Sequence, residues 1–155
     1  MTKLEHLEHL AHQKDIHIHD YCFSKTKKAA CHYMVDGSWE YKAILLDRPN
    51  IKSSVEETIL LAEELGHYET EALYFVEATT NTPSARSTRM KCEARAKRWA
   101  VRHLLPSGEI QKVIDGGRYL VCEIAEELSV TEDFLSLAIN YYISKGELSL
   151  TLSKT

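Results

Sequence analysis

Apolar residues change their spacing several times along this chain, and each change predicts an element. Leu4, Leu7, Leu10 and Ala11 recur at helical intervals, which predicts a short amphipathic helix over residues 3–13. His6, His9 and His12 take a second face, which reads as solvated. From Asp15 to Tyr21 the period drops to two. Ile16 and Ile18 point one way and His17 and His19 the other, as in a half-buried strand. A basic connection follows from Phe23 to Lys28. Ala29 to Val35 and Glu40 to Leu46 predict two more strands, joined by the turn signal Asp36-Gly37. Asp47 to Asn50 ends the third. The expectation is a small N-terminal antiparallel sheet, with His32 exposed on it.

Ser53 to Tyr68 reads as the central helix. Ser53 with Glu56, and Ser54 with Glu57, fit capping boxes, and no proline or glycine intervenes before Gly66. Ile59, Leu60, Leu61, Ala62 and Leu65 wrap most of its circumference, so burial on several sides is expected. Glu63, Glu64 and His67 at its far end conflict with that burial. A buried carboxylate costs several kcal/mol unless it is paired, protonated or metal-bound. Glu63 and His67 are four apart and share one face. This is the spacing of the H-E-x-x-H zinc helix, with Glu63 in the first histidine slot. The competing reading is a buried Glu and His meeting arginines from the next helix.

Glu69 to Phe75 either continues this helix or breaks from it near Gly66. Glu77 to Thr88 is polar and reads as an exposed loop. Ser84 or Ser87 then opens a helix that stops before Pro106. Its core stripe is Glu93, Ala96, Ala100 and Leu104; a basic helix can bind phosphate, but its many Arg and Lys residues read as a solvated face. Residues 107–115 predict a short helix, broken at Gly116-Gly117. Tyr119 to Leu128, a turn at Ser129 to Thr131, and Glu132 to Lys145 predict a helical hairpin resembling a helix-turn-helix. Thr131 is its N-cap. Leu148, Leu150 and Leu152 alternate with polar residues in a strand-like tail.

Composition narrows the class. The chain has 155 residues, enough for one domain with a proper core. We expect a single domain over 1–155, with an N-terminal helix and sheet (1–50), metal-site helices (51–106) and C-terminal helices and tail (107–155). No apolar run approaches the ~20 residues of a spanning helix, and the polar N-terminus is unlike a signal peptide. Four cysteines without CxxC spacing fit a cytoplasmic protein with reduced thiols. The net charge of −4, and the acidic Glu123, Glu126, Glu127, Glu132 and Asp133, count against direct DNA binding by the hairpin.

Two motifs in order, A-E-E-L-G-H-Y and then E-A-R-A-K-R-W-A-V-R-H-L-L-P, resemble the ImmA/IrrE family of metallopeptidases. Glu93, Ala96, Trp99, Ala100 and Leu104 to Pro106 carry the second motif, with Trp in the place of Phe. The likeness spans residues 15–145. It implies an α+β fold, a small sheet packed on a helical body. It implies metal ligands at Glu63, His67 and Glu93, a general base at Glu64, and Zn2+ as cofactor. It further implies endopeptidase action on a helix-turn-helix repressor of a phage or mobile element. Glu63 departs from the family's histidine. Its oxygen donor makes the set harder and more anionic, which favours an ion such as Mn2+ or removes activity. The alternative is a non-catalytic module that binds the same repressor.

Overall fold

The computed structural model describes residues 1–24, 26–73 and 82–149. The chain divides into two compact units, Met1–Ala100 and Val101–Thr155. In the first, helix α1 (Lys3–Gln13) opens on a capping box. Thr2 Oγ1 accepts from the Glu5 N–H at 3.1 Å, and Glu5 Oε2 accepts from the Thr2 N–H at 2.7 Å. Leu7 and Ala11 are its buried face, packed toward α2 (Ser54–Glu69).

Strands β1 (Ile16–Asp20), β2 (Ala29–Asp36) and β3 (Trp39–Leu46) form one sheet in the order β1-β3-β2. The α+β class is as expected, but the sheet is mixed rather than antiparallel. β2 and β3 are an antiparallel hairpin, whereas β1 runs parallel to β3, pairing Ile16 with Lys42 and Asp20 with Leu46. Topology gives the reason. Each connection reverses the chain, so the first and third strands run the same way. Placing the third in the middle makes their pairing parallel. The hairpin closes on Gly37-Ser38 between Asp36 and Trp39, with Gly37 at φ +62°, where a side chain is disfavoured.

The inner face of the sheet carries Ile16, Ile44, Leu46, Ala29 and Cys31. The outer face carries His17, His19, His32, Trp39 and Tyr41, where His17 stacks on Tyr41 with ring centroids 5.1 Å apart. His32 is exposed, as expected.

Helix α2 is capped once, not twice. Ser53 Oγ accepts from the Glu56 N–H at 3.1 Å, while Ser54 is already helical. Neither glutamate returns to a serine backbone N–H. Glu56 accepts from Lys28 Nζ at 2.6 Å and Lys52 N–H at 2.7 Å. Glu57 accepts from Arg48 Nε at 2.9 Å, and Arg48 also reaches Asp20 at 2.8 Å, linking β1 to the helix start. At the other end α2 stops at Glu69, with Glu71 at φ +53°. Part of the continuation considered from Glu69 to Phe75, at residues 74–75, lies outside the described residues.

Helix α3 (Pro83–Leu104) starts before either serine considered, and takes up residues 83–88 of the expected loop. Thr82 Oγ1 accepts from the Ala85 N–H at 3.2 Å, and Pro83 occupies the first helical position, where its missing N–H costs nothing. Residues 77–81 of that loop lie outside the described residues.

In the second unit, α4 (Ser107–Asp115), α5 (Val121–Leu128) and α6 (Glu132–Ser144) bury Ile110, Ile124, Ala125, Leu128, Phe134, Leu135 and Ala138. Tyr142 is fully enclosed and donates its hydroxyl to Leu105 O at 2.9 Å. The hairpin turn is as expected. Ser129 is left-handed at φ 54°, and Thr131 Oγ1 accepts from the Phe134 N–H at 3.2 Å. Leu148 is buried, and the rest of the expected tail, from residue 150, lies outside the described residues. Among the described residues no helix is long and apolar enough to cross a membrane.

Candidate functional site

The site residues sit where α2 and α3 touch, and a glycine makes that contact possible. A Cβ on Gly66 would lie 2.5 Å from the Ala96 carbonyl oxygen and 3.0 Å from its carbonyl carbon. The two backbones therefore meet directly, and Ala96 is almost fully buried. This approach carries His67, next along α2, to Glu93, one turn before Ala96 on α3. His67 Nε2 lies 3.4 Å from Glu93 Oε1.

His67 is 6% exposed. Its Nδ1 lies 2.8 Å from Ala72 O, a contact that fixes the ring orientation when Nδ1 carries the proton. Burial opposes the charged imidazole. The hydrogen bond to Glu93, the Ala72 carbonyl and the charges of Glu64 and Glu93 outweigh it and raise the pKa above the ordinary histidine value. The Glu93 side chain is 42% exposed, so it lies at the mouth of the site rather than fully inward as its place in the core stripe suggested.

Glu64, His67 and Glu93 line one cavity of about 290 Å³, together with Cys31, Lys27 and Lys28. Burial raises the Glu64 pKa, against the opposing effects of the Cys31 hydrogen bond and His67. Lys28 is engaged by Glu56, and Lys27 contributes positive charge toward Glu64.

Cys31 was missed in reading the sequence. Its Sγ lies 3.1 Å from Glu64 Oε2 and 3.2 Å from Glu64 O, so the thiol can donate to either. Burial and the Glu64 carboxylate push its pKa far up, leaving a neutral donor rather than a nucleophile. The available signal was strand alternation, which puts Cys31 opposite Ile44 on the inner face. Tyr68 was missed as well. Its hydroxyl accepts from the Ala43 N–H at 3.1 Å and lies 2.8 Å from both His32 O and Ala43 O. This fixes the end of α2 to the β2–β3 pair.

Glu63 stands apart. It is not among the residues lining the cavity. Burial raises its pKa and Lys97 on α3 lowers it, with smaller effects from Glu64, Glu93 and His67. The cation acting on Glu63 is thus Lys97, while the arginines Arg95 and Arg98 of the same helix are exposed. A metal therefore fits in part. His67 and Glu93 bring a nitrogen and an oxygen donor together, suited to a borderline divalent ion. Among the described residues no three His, Cys, Asp or Glu groups are arranged to hold one.

Compared with protein-family models, curated proteins and solved structures, the chain matches none. The resemblance rests on its own motifs.

Proposed function

We propose that this chain is a metal-dependent endopeptidase of the ImmA/IrrE type, acting on a helix-turn-helix repressor of a phage or mobile element. The observation that carries this reading is the convergence of Glu64, His67 and Glu93 on one cavity, from two helices brought into backbone contact at Gly66. On this reading His67 and Glu93 are the donors at the cavity, and Glu63 is the third donor by resemblance. A divalent ion, when bound, would polarise the scissile carbonyl and acidify a water. The chain's own groups do the rest. Glu64, kept basic enough by burial, takes the proton of the attacking water and returns it to the leaving nitrogen. The Cys31 thiol orients the Glu64 carboxylate, and Ala72 O orients His67.

One observation favours a second reading, a non-catalytic module that binds the same repressor. Glu63 stands outside the cavity, which leaves only two of the three expected donors there. Two measurements separate the readings. On the first, tag-free protein binds about one divalent ion per chain, His67→Ala and Glu93→Ala lose it, and Glu64→Gln keeps it. Co-expression with a candidate helix-turn-helix repressor then yields fragments that Glu64→Gln abolishes. Repressor binding without metal and without cleavage supports the second.

A further inference from the structure

Helix α3 carries seven cations, Arg86, Arg89, Lys91, Arg95, Lys97, Arg98 and Arg102, against one carboxylate, Glu93. The chain as a whole has a net charge of −4. The cations are not spread evenly around the helix. Lys91, Arg95 and Arg98 follow each other at four and three residues and form a stripe opposite Ala96 and Ala100, the buried face. Ser84, Ser87 and Thr88 extend the same outer face toward the helix start. All six residues are exposed, and among the described residues Lys91, Arg95 and Arg98 have no carboxylate partner. By contrast Arg48, Arg102 and Arg118 each have one.

This arrangement costs stability in the isolated protein. Like charges three and four residues apart on a helix repel one another. Cations near the N-terminal half also oppose the helix dipole, and the first turn has no acidic residue to offset them. We propose that the outer face of α3 is a docking surface for the phosphate backbone of duplex nucleic acid. Residues 91–98 span about 10 Å of helix, the length of about three successive phosphates on one strand. Arginine forks and serine hydroxyls are usual phosphate contacts, while the Thr88 hydroxyl already donates to Ser84 O at 3.1 Å. The stripe itself carries no aromatic or aliphatic side chain of the kind a protein interface needs at its centre, and the exposed Met90 lies to its side. A membrane-surface helix would need an apolar face for lipid, and the apolar face of this helix, Met90 apart, is buried in the fold. The acidity of α5 and α6, which counts against DNA contact there, does not extend to this helix.

The test is fluorescence anisotropy of a labelled mixed-sequence duplex titrated with tag-free full-length chain. Binding with little sequence preference is expected, weakening about 40-fold between about 50 and about 200 mM salt, as about three phosphate contacts require. Lys91→Ala, Arg95→Ala and Arg98→Ala should each reduce the logarithmic salt slope by about 0.9. The triple variant should lose most of the affinity without a lower Tm, since the substitutions relieve repulsion. Lys112→Ala, on another helix, should bind as wild type. No duplex binding at about 50 mM salt, or a triple variant that binds as wild type, overturns the proposal. So does stripe-dependent binding to phosphatidylserine vesicles or polyglutamate without binding to the duplex.

Discussion

The backbone of Gly66 lies against the backbone of Ala96, so closely that a methyl group at position 66 would come within 2.5 Å of the Ala96 carbonyl oxygen. Backbone cannot rotate away as a side-chain tip can, so the helices must separate to accept the methyl. Gly66→Ala gains about 1 kcal/mol of helix propensity and incurs overpacking of about 1–3 kcal/mol. We expect net destabilisation, seen as a lower urea midpoint at unchanged m. Separation also moves His67 from Glu93, so on the metallopeptidase reading metal affinity should fall together with stability. A raised midpoint would show that the close approach is dispensable.

Tyr68 concentrates three backbone contacts on one hydroxyl, at Ala43 N–H, Ala43 O and His32 O. Tyr68→Phe keeps the ring and leaves these groups without that partner. The expected loss is about 1–3 kcal/mol, read from thermal or urea unfolding. Faster amide hydrogen exchange at Ala43, with α6 unchanged, would locate the effect in the β2–β3 pair.

Local signals in the sequence located the elements well, because spacing and capping act over a few residues. Leu7 and Ala11 mark the buried face of α1, and Thr131 marks the start of α6. Strand direction was less legible. The hairpin signal at Asp36-Gly37 specifies only β2 against β3, while the place of β1 depends on the whole sheet. The start of α3 was missed because Thr82-Pro83 reads equally well as loop or as cap and first turn. At the site, the i, i+4 pair and Glu93 were visible as motifs, and His67 and Glu93 do meet. Cys31 and Tyr68 were not, since each gains its role from an element distant in sequence. Glu63 shares the helix face of His67, yet does not line the cavity. Spacing along one helix fixes direction around its axis, not reach into a particular cavity.

The directions of the shifts at His67, Glu63 and Glu64 predict that stability falls as pH rises. His67 has a pKa raised above its ordinary 6.5, so its contribution is complete below that value and is lost as pH rises through the folded pKa. Glu63 and Glu64 have pKa values raised above 4.5 by burial, so the folded protein binds the extra protons and stability again falls as pH rises. The three effects act in the same direction. In the presence of chelator, Tm should fall between about pH 5 and about pH 8. Glu64→Gln and His67→Ala should each flatten that slope, and Glu64→Gln should raise Tm by a few degrees at the alkaline end. A Tm that climbs over this range would contradict the assigned directions.

Glu63 is the residue on which the metallopeptidase reading turns, and Glu63→His tests it directly. The swap rebuilds H-E-x-x-H, and the two residues differ by only a few tenths of a kcal/mol in helix propensity. It also takes one negative charge from a group of three carboxylates. If position 63 donates to a metal, an imidazole there suits zinc better than a carboxylate does, and preference should move toward zinc over manganese. If Glu63 serves only to balance Lys97, the ion's affinity should not respond. Stability should then fall by about 1 kcal/mol or less, because Lys97 is part-exposed and water screens the loss. Zinc and manganese titrations of both proteins, each with a thermal melt, distinguish these outcomes. Selectivity that stays the same while stability drops slightly would assign Glu63 to the α2–α3 contact and leave the non-catalytic module as the better reading.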